Sequence, residues 1–108
     1  MLSEEHPDVL SAMANLAATY RNQGRSKEAE ELGVKVMEAR SRVLGEEHPD
    51  TLSAIADLAS TYRKQGRWKE AEELGVKVIE ARSRVLSEEH PDVLSAMANL
   101  AYTKRDLG

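Results

Sequence analysis

The sequence predicts an all-α solenoid of antiparallel helical hairpins, with two full repeats and a final half-repeat helix. Three observations predict it. The phrase Leu-Ser-Glu-Glu-His-Pro-Asp begins at Leu2, reappears as Leu-Gly-Glu-Glu-His-Pro-Asp at Leu44 and returns at Leu86, an offset of 42 residues each time. Between these phrases the apolar residues step by three and four, the period of a helix face. Pro and Gly recur at fixed places and cut the helical pattern into short lengths, which rules out one long coiled coil.

Residues 2–43 and 44–85 differ at eight positions: Ser3/Gly45, Val9/Thr51, Met13/Ile55, Asn15/Asp57, Ala18/Ser60, Asn22/Lys64, Ser26/Trp68 and Met37/Ile79. Residues 86–108 restart the unit and stop halfway, so the sequence reads as one repeat domain over 1–108. Recent duplication, consensus design and excision from a longer array all fit such near-identity.

Each unit divides into a first helix (A) and a second (B), and five helices are expected at about 8–23, 26–44, 50–65, 68–86 and 92–107. In the second unit Leu52, Ile55, Ala59 and Tyr62 form one face of helix A. His48-Pro49-Asp50 starts it. A proline in the first turn sacrifices no hydrogen bond, and Asp50 sits near the positive end of the helix dipole. Gly66 stops it in the left-handed conformation that glycine tolerates. Helix B follows, with Ala71, Leu74, Val78, Ala81 and Val85 on its apolar face. Its opposite face places Glu73 four residues before Lys77 and Glu80 four before Arg84, as Glu31/Lys35 and Glu38/Arg42 do in the first unit. Such pairs contribute roughly 0.2–0.5 kcal/mol each on a solvated face.

Composition excludes several classes of function. The formal charge is −4, against a nucleic-acid surface or binding to an anionic membrane. No apolar stretch approaches the ~20 residues of a membrane span. Cysteine is absent, and so is thiolate chemistry. The start of the chain, with Ser3, Glu4 and Glu5, is unlike a secretory signal, and a cytoplasmic location is the expectation. His6, His48 and His90 come one per turn with no second ligand near, which suits a helix start and not a metal. Glu4-Glu5, Glu46-Glu47 and Glu88-Glu89 read as solvated turn charge, not as carboxylates facing across a cleft. No cofactor motif, nucleophile or phosphate loop appears, and every candidate residue recurs with the repeat. An enzyme is not expected. Trp68, whose repeat partner is Ser26, is expected to pack against a neighbouring hairpin.

Asn15-Leu16-Ala17, Tyr20, Gln23-Gly24-Arg25 and Glu28-Ala29-Glu30, with their counterparts Asp57-Leu58-Ala59, Tyr62, Gln65-Gly66-Arg67 and Glu70-Ala71-Glu72, resemble the tetratricopeptide repeat. The 42-residue period and the segment Leu44–Leu52 are similar to the kinesin-light-chain subtype. The resemblance implies a right-handed solenoid. Ala17 and Ala59 would meet Ala29 and Ala71 where A crosses B, and Tyr20 and Tyr62 would fill the space beneath. Gly33 and Gly75 depart from the family pattern in mid helix B. A glycine there costs ~1 kcal/mol against alanine, and close approach of a neighbouring helix is the expected reason. The half unit departs further, with Lys104 in the place of the tyrosines and Leu107 in that of the glutamines.

The resemblance also implies a function: a non-catalytic scaffold whose A helices line a concave groove for a peptide or protein partner. The implied lining includes Ser11, Ala14, Ala18 and Asn22, then Ser53, Ala56 and Ser60. The implied contact residues are Asn15 and Asn99, which would hold a peptide backbone, and Arg21, Arg63, Arg105 and Lys64, which would pair with ligand carboxylates. Asp57 replaces the asparagine in the middle hairpin and would repel an acidic ligand. The alternative is a structural module that stacks end to end, giving a weak homo-oligomer through its terminal repeat faces.

Overall fold

The computed structural model describes residues 5–85, 95–101 and 103. Four helices follow one another: α1 (Pro7–Asn22), α2 (Ser26–Leu44), α3 (Pro49–Lys64) and α4 (Trp68–Val85). A fifth helical segment, α5, covers 95–101 and 103. No strand occurs among the described residues. The start expected for the last helix at 92, its end at 107, and the side chains of Tyr102, Lys104, Arg105, Asp106 and Leu107 lie outside them.

The A helices start one residue earlier than the pattern alone suggests, because Pro7 and Pro49 are themselves helical. The histidine before each proline has a definite job. In extended backbone conformation, its Nδ1 accepts a hydrogen bond from the amide of Asp8 (3.1 Å) or Asp50 (3.0 Å), so histidine is the N-cap. At the far end α3 closes on Gln65, and Gly66 turns the chain with φ +77°. The B helices run longer, 19 and 18 residues against 16 for each A helix.

Most of the packing is between consecutive helices. Helix α1 lies on α2, α2 on α3 and α3 on α4. Helix α1 also touches α3, while α2 and α4 stay further apart, so the A helices form the inner side of the curve. Leu52 and Ile55 of α3, Val78 and Ala81 of α4 and Ala96 of α5 form the central core, flanked by Met37, Leu74 and Ile79. The small residues of helix B are fully enclosed, with Ala29 and Ala71 shut off from solvent. The mid-helix glycines admit the next repeat. A Cβ added at Gly33 would lie 3.3 Å from Leu58 Cδ1, and one at Gly75 would lie 3.3 Å from Leu100 Cδ1. The leucines of the second and third Asn/Asp-Leu-Ala triplets, Leu58 and Leu100, are thus seated on the glycine of the preceding B helix.

Two expectations need correction. Tyr20 and Tyr62 are half-buried and do not fill a closed space. Each ring instead carries a guanidinium, Arg25 or Arg67, 4.3 Å from its centre. The turn glutamates are also not merely solvated. Arg42 donates to Glu5 at 2.6 Å and Arg84 to Glu47 at 2.9 Å, so these arginines clasp the start of their own hairpin across 37 residues of chain, where the sequence had paired them with Glu38 and Glu80. Trp68 is half-buried at the start of α4.

Candidate interaction groove

The inner side carries two recesses whose linings match at an offset of 42, except that Arg82 joins the second and Arg40 does not line the first. The first is enclosed by Ala14, Ala17, Ala18 and Arg21 of α1, Ala29, Gly33 and Val36 of α2, and Ala54, Asp57, Leu58 and Thr61 of α3. The second repeats it with Ala56, Ala59, Ser60 and Arg63 of α3, α4 residues from Ala71 to Arg82, and Ala96, Asn99, Leu100 and Thr103 of α5. Small side chains along each A helix leave the recess open. The glycine of helix B lets the next A helix close its floor.

The recesses are shallow notches, about 20 Å³ in the first and about 30 Å³ in the second. Small-molecule sites occupy roughly 300–1,000 Å³. A ligand here would lie across the notches and not inside one, as an extended or helical segment does.

Polar groups mark each notch. Arg21 Nη1 donates to the backbone carbonyl of Asp57 at 3.0 Å, which spans the two A helices. The same carbonyl accepts from Thr61 Oγ1, and in the next repeat Thr103 Oγ1 donates likewise to the Asn99 carbonyl. The Asp57 side chain is open to water, yet the helices around it displace much of the nearby solvent. That desolvation raises its carboxyl above the ordinary aspartate range, outweighing the opposing pull of Arg21, Arg40 and Arg82. Arg40 also donates to the Asp50 carbonyl at 3.3 Å.

The structure therefore brings together Arg21 with Asp57 and Arg63 with Asn99. Asn15 and Lys64 are exposed on A helices and line neither notch, and Arg105 lies outside the described residues. Sequence reasoning missed Arg40 and Arg82. They were legible in principle: each stands four residues after a core valine, Val36 or Val78, and recurs in register.

A second polar cluster joins the repeats on the turn side. Gln65 Nε2 donates to the Ser26 carbonyl (3.2 Å) and to Glu30 (3.1 Å), and Arg67 Nη1 donates to Glu30 at 2.9 Å while also holding Glu70. Partial burial pushes the Glu30 carboxyl up, but the hydrogen bonds from Gln65 and Arg67 outweigh it and hold the group below its usual range. Among the described residues, no group of three or more His, Asp or Glu is placed to hold a metal ion, and no helix is long and apolar enough to cross a membrane.

The sequence profile of the tetratricopeptide repeat matches residues 8–82 and 52–108. No curated protein matches. Among solved structures, a candidate kinesin light chain of Podosopora anserina with nearly identical TPR-like repeats is 33% identical, covering 100% of this chain and 51% of that one, with a TM-score of 0.92. A point variant of it is 34% identical over 99% of this chain and 50% of its own, with a TM-score of 0.88. BtubC (BKLC) from P. vanneervenii is 20% identical over 97% of this chain and 42% of its own, and its TM-score of 0.89 speaks for the fold alone. This chain spans about half the length of the structures it matches.

Proposed function

The chain belongs to the tetratricopeptide repeat family, in its kinesin-light-chain-like form, whose hairpins serve generally as non-catalytic interaction scaffolds, and from that premise we propose that its A-helix groove binds a carboxylate-bearing peptide segment of a protein partner. The observation that carries the proposal is the pair of in-register notches, each bounded by small residues and each opening beside an arginine of one A helix and an amide or carboxylate of the next. Arg21 and Arg63 supply charge at a spacing fixed by the fold, and Arg105 extends the series by register. Asn99 and Asn15 offer amide groups to a peptide backbone, and Lys64 adds charge at the end of α3.

The two notches are not equal. Asp57 neutralises the first from within, whereas Asn99 stands at the same register in the second. A ligand carboxylate therefore prefers the notch of Arg63 and Asn99. With two such notches among the described residues, affinity is weak and dependent on salt.

The test is titration of a short glutamate-rich peptide, followed by resonance shifts along the A helices. Arg63→Ala together with Arg21→Ala should weaken binding and flatten its salt dependence. Asp57→Asn should strengthen it by roughly 1 kcal/mol or less. Binding unchanged by all three substitutions would place the partner on another face.

A further inference from the structure

Among the described residues one face of helix α1 is left without a neighbour, and the same molecule holds a surface shaped for it. On α3 the face turned to the preceding repeat is closed: Thr51, Ala54, Leu58 and Thr61 are buried against α2. The matching face of α1 is open, with Leu16 43% exposed where Leu58 is 2% exposed. That face is made to receive a B helix. The B helix at the other end, α4, is covered by α5, whose Leu100 sits on Gly75.

Residues 2–17 and 86–101 are identical at every position. Helix α1 of a second copy thus offers α4 the same Ala-Leu face, Ala12 and Leu16, that α5 offers with Ala96 and Leu100. Two features favour the incoming helix. Among the described residues α5 is packed on one side only: Met97 is 50% exposed, where its counterpart Ile55 is 2% exposed beneath a B helix. Helix α1 arrives with α2 already packed on that side. The incoming hairpin also carries Gln23 and Arg25, the counterparts of the Gln65 and Arg67 that bind Glu30. In the chain's own last unit the glutamine is replaced by Leu107, which has no hydrogen-bonding side chain to offer Glu72, the counterpart of Glu30.

We infer that two copies associate head to tail by exchange: α1 of one copy docks on α4 of the other and displaces that copy's α5. Direct stacking of the open ends is disfavoured, because the open faces of α1 and α5 are both built to meet a B helix. What opposes exchange is the covalent tether that keeps α5 at high local concentration. Each added copy brings an open α1 face and an α4 whose own α5 can be displaced in turn, so association runs on to longer chains and does not close at two.

Register-matched substitutions separate exchange from simple stickiness, with sedimentation velocity over a concentration series as the measurement. The unmodified chain should show mass rising with concentration. Leu16→Glu, in an exposed position of the monomer, should weaken association by about a hundredfold, since a charge would be carried into a closed apolar seat. Leu100→Glu should do the opposite and strengthen association about tenfold, because it loosens the competitor and leaves α1 intact. Gln23→Leu, which copies Leu107 to the C-cap of α1 without touching the core, should weaken it several-fold and leave the thermal melt of the monomer unchanged. Weakening by Leu100→Glu equal to that by Leu16→Glu, indifference to Gln23→Leu, or a monomeric mass throughout would each overturn the proposal.

Discussion

Helices α1 and α3 differ at five of sixteen positions and share their caps, their length and their place in the hairpin. Among the described side chains, α1 buries only Leu10, while α3 buries six residues. Leu16 and Leu58 occupy the same register, yet one is a surface residue and the other is core. The five substitutions do not explain this, since Leu16 and Leu58 are the same residue. The presence of α2 on one side of α3 does. In a solenoid the burial of a side chain is a property of its position in the array as much as of its identity.

The largest test of that difference is truncation of the shared leucine. Leu58→Ala should cost about 2–5 kcal/mol, by the transfer and cavity terms together. Leu16→Ala should stay within about 1 kcal/mol at concentrations where the chain is monomeric. Urea melts of the two variants give the comparison directly, and equal losses would mean that the α2–α3 interface contributes little.

Thr51 sharpens it. Its residue is fully buried and its Oγ1 makes no hydrogen bond, whereas the sister positions hold Val9 and Val93. Thr51→Val should therefore stabilise the chain by about 1–2 kcal/mol, the penalty of an unmet hydroxyl. A loss on this substitution would show that the hydroxyl has a partner.

The histidine caps supply the control. They act within one turn, so His6→Ala and His48→Ala should each cost about 1 kcal/mol, and His48→Asp should restore the helix. If the two caps differed as widely as the two leucines, position in the array would govern local contacts too. A subtler inequality is expected for Gln65→Ala against Gln23→Ala, since only Gln65 reaches back to an earlier repeat; about 1 kcal/mol separates them in denaturant melts.

The smallest effect is that of pH. Glu30 is held below its usual range, so its contribution is complete above the unfolded-state value and is lost as pH falls through the folded one. Asp57 has the opposite sign. Its carboxyl is raised, so the folded state keeps that proton longer and stability falls as pH rises through the raised value. Glu30→Gln should flatten the acid limb of the stability curve, and Asp57→Asn should lift its neutral part. Acid limbs that superimpose for Glu30→Gln and the unmodified chain would remove the Gln65–Arg67–Glu30 cluster from the account.

Much of this architecture was legible in the sequence, and particular residues show why. His-Pro-Asp and the turn glycines located the helix ends to within a residue, because caps depend on local chemistry alone. Gly33 and Gly75 announced a close approach, and Leu58 and Leu100 make it. The ion pairs were misread. Arg42 and Arg84 have in-helix partners four residues away, and the sequence cannot show that the hairpin brings Glu5 and Glu47 nearer. The tyrosines were misread because the stack of Arg25 and Arg67 depends on how the chain turns after Gly24 and Gly66. In the groove, Arg21 and Arg63 were found from their A-helix register. Arg40 and Arg82 were passed over because the groove lining was sought on the A helices alone.

The ties between Glu5 and Arg42, between Glu47 and Arg84, and between Gln65 or Arg67 and Glu30 span 35–37 residues of chain, always less than one period. Pulled from its two ends, such a molecule carries the load through these ties in series, together with the Arg21–Asp57 tie that joins α1 to α3. It should yield like a strip of tape lifted from one edge, hairpin after hairpin at nearly constant force.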